Sequence, residues 1–499
     1  MKNILSYIEE VAKRNAQKTA IGDEQSEMTY EELIFQSKTI GSYLKKIKTK
    51  NEPIAVLLDK TPQCVAAFLG VAYSGNFYVV LDTQTPAERL NRILETLHPR
   101  AILTDDSHMQ LAEALQVDGA IENIKDALEA EMDEEFLGNV RAAMVETDPL
   151  YALYTSGSTG LPKGTVISHR AVIAYTQWVI DTFDVNTETI FGSQTPFYFS
   201  MSITDLYGTL RTGARLQIIP KEKFAFPLML VEYMNTYKIN TIYWVPSALC
   251  IVANWKTFAY AKPEYLQKVL FAGEVMPNKQ LNYWRKEMPD LFYANLFGPT
   301  ETTDICSYYV VNREFRDEES LPIGRACDNC GLLIVDENGK EAAQGELLVK
   351  GPFLANGYYN NPEKTKEVFI QNPLNTSYPE IVYKTGDLVT RNELGEILYM
   401  GRIDFQIKHA GYRIELGEIE SSISAIEQIQ SCVCVYDGAE DKIILIYQGK
   451  IKEQPIADEI HKRLPSYMHP NVIKKVKAMP FNANGKIDRN YLKLHYKEL

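Results

Sequence analysis

Strand-like and helix-like stretches alternate through most of this 499-residue chain, and that alternation constrains the fold more than any other feature. Short apolar runs at Ile54–Leu58, Phe77–Leu81, Ala101–Thr104, Arg215–Ile219 and Lys268–Phe271 read as strands. Ala87–Leu97, with Pro86 set for a first turn, and Pro277–Lys286 read as helices. Alternation of this kind predicts an α/β fold with largely parallel sheets. The most apolar window, Cys64–Leu81, is broken by Ser74, Gly75 and Asn76, which suits a core helix followed by a buried strand and not a membrane span.

Between Gly345 and Gly401 the pattern becomes short-stranded and turn-rich (Glu346–Lys350, Ile381–Thr385, Ile397–Met400), as in a small β subdomain. Beyond Gly401-Arg-Ile-Asp404 another pattern begins, with helices at Glu415–Ala425 and Gln454–Leu464 and strands at Ile429–Tyr436 and Lys442–Gln448. A chain of this length exceeds the roughly 250–300 residues that one core supports. The expectation is a large N-terminal body over residues 1–403 and a mobile α+β C-terminal lid over residues 404–499.

A formal net charge of −13 argues against a nucleic-acid binder or a protein of anionic membrane surfaces, though a local cationic pocket stays compatible with a small anionic substrate. The N-terminus carries Glu9 and Glu10 and lacks a signal-peptide stretch, so a cytoplasmic location is expected. Seven scattered cysteines suit reduced thiols. Cys327-Asp-Asn-Cys330 has the spacing of half a zinc or redox site but has no second pair to complete it. Cys432 and Cys434 alternate along one side of a strand.

The segment Thr155-Ser-Gly-Ser-Thr-Gly-Leu-Pro-Lys-Gly164 follows the strand-like run Leu150–Tyr154. Its three glycines free backbone amides to face an anion, its four hydroxyls add donors, and Lys163 adds a point charge. A flexible surface loop is the alternative. The spacing is not that of a P-loop, because Gly164 stands where a Ser or Thr would follow the lysine.

This loop resembles the signature of the adenylate-forming enzymes: acyl- and aryl-CoA ligases, luciferases and the adenylation domains that feed carrier proteins. Further blocks resemble the same family in the same order: Gly298-Pro-Thr-Glu-Thr-Thr303, Tyr383-Lys-Thr-Gly-Asp-Leu388, Gly401-Arg-Ile-Asp-Phe-Gln-Ile-Lys408, Gly411-Tyr-Arg-Ile-Glu-Leu-Gly-Glu-Ile-Glu420 and Asn484-Gly-Lys-Ile-Asp-Arg489. Met28-Thr-Tyr-Glu-Glu-Leu33 and Leu321-Pro-Ile-Gly-Arg325 are weaker matches. The resemblance implies ATP-dependent activation of a carboxylic acid as an acyl-adenylate with Mg2+, followed by transfer to a thiol.

It also implies roles for individual residues. Thr155, Ser156, Gly157, Ser158, Thr159, Gly160 and Lys163 would cradle the triphosphate, with Thr300 as a further phosphate contact and Glu301 as the magnesium ligand. Asp387 would take the ribose hydroxyls, beside Arg402. Lys486 would reach the substrate carboxylate and the adenylate, a cation suited to charge that develops in the transition state. Asp404 would be the hinge of the lid, and Gly411 would line the thiol channel, where a side chain would obstruct.

The wording of the C-terminal blocks, with Leu464-Pro-Ser-Tyr-Met468, is closer to stand-alone amino-acid adenylation domains and D-alanine–carrier protein ligases than to CoA ligases. A holo-carrier protein acting in trans is therefore the expected acceptor; free CoA, and a degenerate binding scaffold, stay open. Carried over from the family, the acid pocket comprises Phe199, Ser200, Met201, Thr204, Tyr243, Leu270, Ala272, Leu296, Asp304 and Ile305. Ser200 departs from the pattern: amino-acid activators place an Asp there to pair with the α-ammonium, and a hydroxyl cannot supply that charge. Asp304 is the acidic exception in a mostly apolar set. It is expected either to pair with a displaced amino group, as in a β-amino acid, or to be a solvent-facing acid, with aryl and aliphatic acids also open.

Overall fold

A computed structural model describes residues 3–155, 162–317, 319–403, 406–424, 426, 428–480 and 487–499. Among them lie two large sheets. One has nine strands, six of which run parallel in the order Phe292–Phe297, Lys268–Phe271, Thr241–Trp244, Ile190–Ser193, Arg215–Ile218 and Thr19–Gly22. The other has seven strands, and Pro149–Thr155 joins Phe77–Val80, Pro53–Leu57 and Ala101–Thr104 in parallel there. The fold is α/β, as the alternation predicts.

Local sequence accounts for many of the elements. Thr29 and Glu32 of the Met28–Leu33 block form a capping box that starts the helix Tyr30–Tyr43. In the apolar window, Thr61 caps a helix, Pro62–Tyr73, that is buried at every position but Gln63, and the buried strand Phe77–Val80 follows it. Pro86 is the N-cap of Ala87–Leu97, and the helix read at Pro277–Lys286 runs over Asn278–Glu287 with Pro277 as its N-cap. Among the described residues no helix is long and apolar enough to cross a membrane.

A five-stranded sheet holds Gly331–Val335, Gln344–Lys350, Ile381–Arg391, Phe369–Gln371 and Ile397–Arg402. After it come a hairpin, Gln406–His409 with Tyr412–Glu415, and a three-stranded sheet of Ile429–Asp437, Lys442–Gly449 and Val472–Lys475. These later elements bury apolar clusters of their own, one around Ile414, Ile419 and Leu445 and one around Val433, Ile444 and Leu492. Cys432 and Cys434 point to the same side of Ile429–Asp437 and are both buried.

Candidate active site

The Gly298–Thr303 block connects the strand Phe292–Phe297 to Ser307–Val310, and a short 3-10 turn, Thr300–Thr302, carries Glu301. Glu301 is 0% exposed. Its Oε1 accepts from the Tyr358 hydroxyl at 2.6 Å and lies 3.3 Å from Lys163 Nζ, while its Oε2 accepts from Arg413 at 2.6 Å. Burial opposes the charge of this carboxyl, but Arg413 and Lys163 outweigh it and hold the group well below the usual carboxylate range. Lys163 itself is pushed down to about 8, by burial first and by Arg413 second. Lys163 opens the strand Lys163–Ser168, whose antiparallel partner ends at Thr155. The Thr155 hydroxyl, on the residue paired with Lys163 in that ladder, is buried with no hydrogen-bond partner among the described residues.

Asp387 and Arg402 face each other across the Ile381–Arg391 and Ile397–Arg402 ladder. Arg402 donates to Asp387 Oδ1 at 3.0 Å and to the Thr385 carbonyl at 2.8 Å. A cavity of about 210 Å³ is lined by Lys163, Thr385, Gly386, Arg402 and Arg413 among others, so the lysine of the predicted phosphate loop and the predicted ribose strand open on one space.

The acid-pocket residues converge nearby. Tyr243, Leu270 and Ala294 are aligned across three adjacent parallel strands, so Tyr243, Leu270, Ala272 and Leu296 share one sheet face. Met201, Thr204 and Ile305 are buried with them. Phe199 sets its ring edge-on to Tyr412, centroids 4.8 Å apart. Asp304 is 1% exposed, which removes the solvent-facing reading. Its Oδ2 accepts from Tyr175 (2.9 Å), Thr204 (2.9 Å) and Tyr243 (3.0 Å). Burial pushes Asp304 up to about 6, against the lowering effect of those hydroxyls and of Ser200. Ser200 is half-buried, and the Thr300 hydroxyl donates to it at 3.5 Å.

Ser156, Gly157, Ser158, Thr159, Gly160, Asp404 and Lys486 lie outside the described residues. Arg489, three positions beyond Lys486, forks onto Glu420 with bonds of 2.6 and 2.7 Å. Gly411, at φ 81°, turns the 406–415 hairpin, and its amide donates to Glu274 at 2.5 Å. Behind Ile305, Cys327 donates to its carbonyl at 3.7 Å and Cys330 to that of Cys306 at 3.1 Å. Among the described residues, no three His, Cys, Asp or Glu side chains are grouped to hold a metal ion.

Sequence reasoning missed Tyr175, Tyr358, Glu274 and the Arg413 contact. Tyr175 lies inside an amphipathic helix, His169–Phe183, where it reads as core. Tyr358 sits on a two-residue edge strand with no signal of its own. Arg413 lies within a family block but has no role in the blocks as read.

The family profile described as "AMP-binding enzyme" matches residues 8–359. The chain belongs to the AMP-binding enzyme family. It is an AMP-forming acid–thiol ligase. Among relatives within this AMP-binding family, a D-alanine--D-alanyl carrier protein ligase of Lacticaseibacillus casei (strain BL23) is 31% identical over 98% of each chain. Zwittermicin A synthase ZmaJ of Bacillus cereus is 30% identical over 98% of this chain and 94% of its own. Among solved structures, the Vibrio cholerae adenylation domain AlmE, crystallised with glycyl-adenosine-5'-phosphate, superposes with a TM-score of 0.84 at 20% identity. It covers 100% of this chain and 98% of its own, and at that identity it speaks for the fold alone.

Proposed function

We propose that this enzyme uses ATP to activate an amino acid whose amine is displaced from the α position, and passes the acyl group to the phosphopantetheine thiol of a separate carrier protein. The observation that carries the substrate class is Asp304, a fully buried carboxylate held on one oxygen by three hydroxyls, deeper than the half-buried Ser200. An ion pair at Asp304 would place the ammonium beyond the α position that an acid at position 200 would serve. The carrier acceptor is supported by the D-alanyl carrier protein ligases among the relatives.

In the first half-reaction a carboxylate oxygen of the acid attacks the α-phosphorus and pyrophosphate leaves. In the second, a thiolate attacks the acyl carbon and AMP leaves. Both partners of the first step are negative, so the chain must neutralise and orient them. The residues are suited to both demands, with a buried carboxylate at Glu301 to hold Mg2+, Lys163 beside it, a buried Thr155 hydroxyl without a partner among the described residues, and the Asp387–Arg402 pair for the ribose. Bound there, Mg2+ would supply charge neutralisation to the triphosphate. Lys486 is assigned to the reacting carboxylate by its family block.

ATP–pyrophosphate exchange with matched α-, β- and γ-amino acids and their deaminated analogues tests this. A displaced-amine acid is expected to exceed both its α isomer and its deaminated analogue by about tenfold or more in kcat/KM, since an unpaired buried charge is costly. Preference for α-amino or amine-free acids would reject the substrate class. Thioester formation with CoA but not with a holo-carrier would reject the acceptor.

A further inference from the structure

Glu301 is engaged from two sides. Tyr358 and Lys163 belong to the body and hold Oε1. Arg413 arrives on the hairpin Gln406–His409/Tyr412–Glu415 and takes Oε2. The same hairpin touches the body again where the Gly411 amide meets Glu274, a half-buried carboxylate that also accepts from the Ser247 amide at 2.7 Å. Two carboxylates of the body thus hold the two ends of one turn, 411–413. The Tyr412 ring between them stacks on Tyr467 at 3.7 Å and meets Phe199 edge-on.

With the Arg413 guanidinium at 2.6 Å on Oε2, and the Tyr358 hydroxyl at 2.6 Å and Lys163 Nζ at 3.3 Å on Oε1, both Glu301 oxygens already hold donors, and a hard divalent cation must compete with them for the carboxylate. The cation and the guanidinium also repel each other at that range. We propose that Arg413 is a positioning residue that takes over the Glu301 carboxylate once Mg2+ has left with pyrophosphate, latching the thiol-channel hairpin onto the body only after adenylation is complete. The latch rests on the metal role assigned to Glu301 and does not depend on which acid is activated. It gives the two half-reactions an order. While Glu301 is shared with the metal, Gly411 lacks its neighbouring anchor, and when the metal is gone the arginine restores the charge balance of a buried carboxylate.

Coupling of this kind is reciprocal: whatever Arg413 contributes to hairpin docking, it must take from Mg2+ affinity. Hydrogen–deuterium exchange of the 406–415 peptide reads the docking without any acid or carrier present. With α,β-methylene-ATP and EDTA, wild-type amides in this peptide should stay protected. Adding MgCl2 should raise their exchange about tenfold, as expected for loss of one charge-assisted contact. Arg413→Gln should exchange fast with or without Mg2+, and should bind the Mg2+-nucleotide analogue more tightly than the wild type in a calorimetric titration. The Phe292–Phe297 peptide serves as the control that the body stays folded. Wild-type protection in Arg413→Gln, or weaker Mg2+-nucleotide binding by it, would overturn the latch. Fast exchange in the variant with no Mg2+ effect in the wild type would overturn both the competition and the metal role, while leaving the substrate class of Asp304 standing.

Discussion

Thr303 has φ 67° and ψ −54°, a conformation that a β-branched residue adopts only under constraint. The constraint is visible: its hydroxyl donates to the Phe353 carbonyl at 2.8 Å, and the Asp304 amide closes back on the Thr302 carbonyl at 2.8 Å. The resulting γ-turn swings Asp304 inward, onto Tyr175, Thr204 and Tyr243. Because burial raises Asp304 to about 6, it is protonated below that pH and cannot pair with an ammonium. The sign follows: kcat/KM for an amine-bearing acid should fall as pH drops through about 6, approaching tenfold per unit, while a deaminated analogue shows no such loss. Tyr175→Phe removes a donor that favours the charged form and should move the inflection upward; Asp304→Asn should abolish it. Pyrophosphate exchange against pH checks all three, and an unmoved inflection in Asp304→Asn would assign the titration to another group. Asp304 itself was legible in the sequence as the acid among apolar pocket residues. Thr204 and Tyr243 of its cradle were legible with it as family pocket positions, but Tyr175 was not, since it lies 129 positions away inside a helix and carries no local mark.

Among the elements, the strands and helices that local pattern encodes are readable to within a residue or two, and the misreadings have physical causes. Apolar alternation stops at Gly386, so the pattern predicts a strand only to Thr385; the ladder in fact continues to Arg391, passing Gly386 at φ 73° and shifting register against both neighbours. That continuation matters, because it carries Asp387 to a position opposite Arg402. The partition into two large sheets is not readable, since pairings such as Ile21 with Leu216 join distant segments that look alike locally. The hairpin turn offers the test that belongs to this scale. A Cβ on Gly411 would lie 2.8 Å from Val245 Cγ1 at a backbone angle that side chains rarely adopt. Gly411→Leu should therefore lower thioester formation from pre-formed adenylate by about a hundredfold through the combined clash and strain, while pyrophosphate exchange falls far less. Val245→Ala in the same chain should restore part of the loss by removing the atom that clashes, as a double-mutant cycle would show. Equal losses in both half-reactions would mean that the turn acts on folding and not on the channel.

At the scale of the whole molecule, the polar contacts between the segment after Ile403 and the body include, among the described residues, one with most at stake, which joins Arg89 to Glu418. Arg89 lies on the helix Ala87–Leu97 of the body, and Glu418 on the helix Leu416–Ser424. Both side chains are almost fully buried, at 6% and 1% exposure, and Arg89 also reaches the Met468 sulfur. Burial pushes Glu418 above its ordinary range in spite of Arg89, so the pair exists against a large desolvation cost. Glu418→Gln leaves the arginine buried without its counter-charge, at a cost of about 3–5 kcal/mol if docking must persist. We infer that the C-terminal segment can leave this pose by turning near Asp404, and undocking then relieves the cost without unfolding. The expected outcome is a large loss of thioester formation, little change in pyrophosphate exchange, and an unchanged melting transition of the body. If the contact were only structural, melting would drop and both half-reactions would fall together. The double replacement Arg89→Met with Glu418→Leu separates the two readings further. It removes both charges and refills the space with apolar atoms, so thioester formation should return toward the wild-type rate while either single change stays impaired.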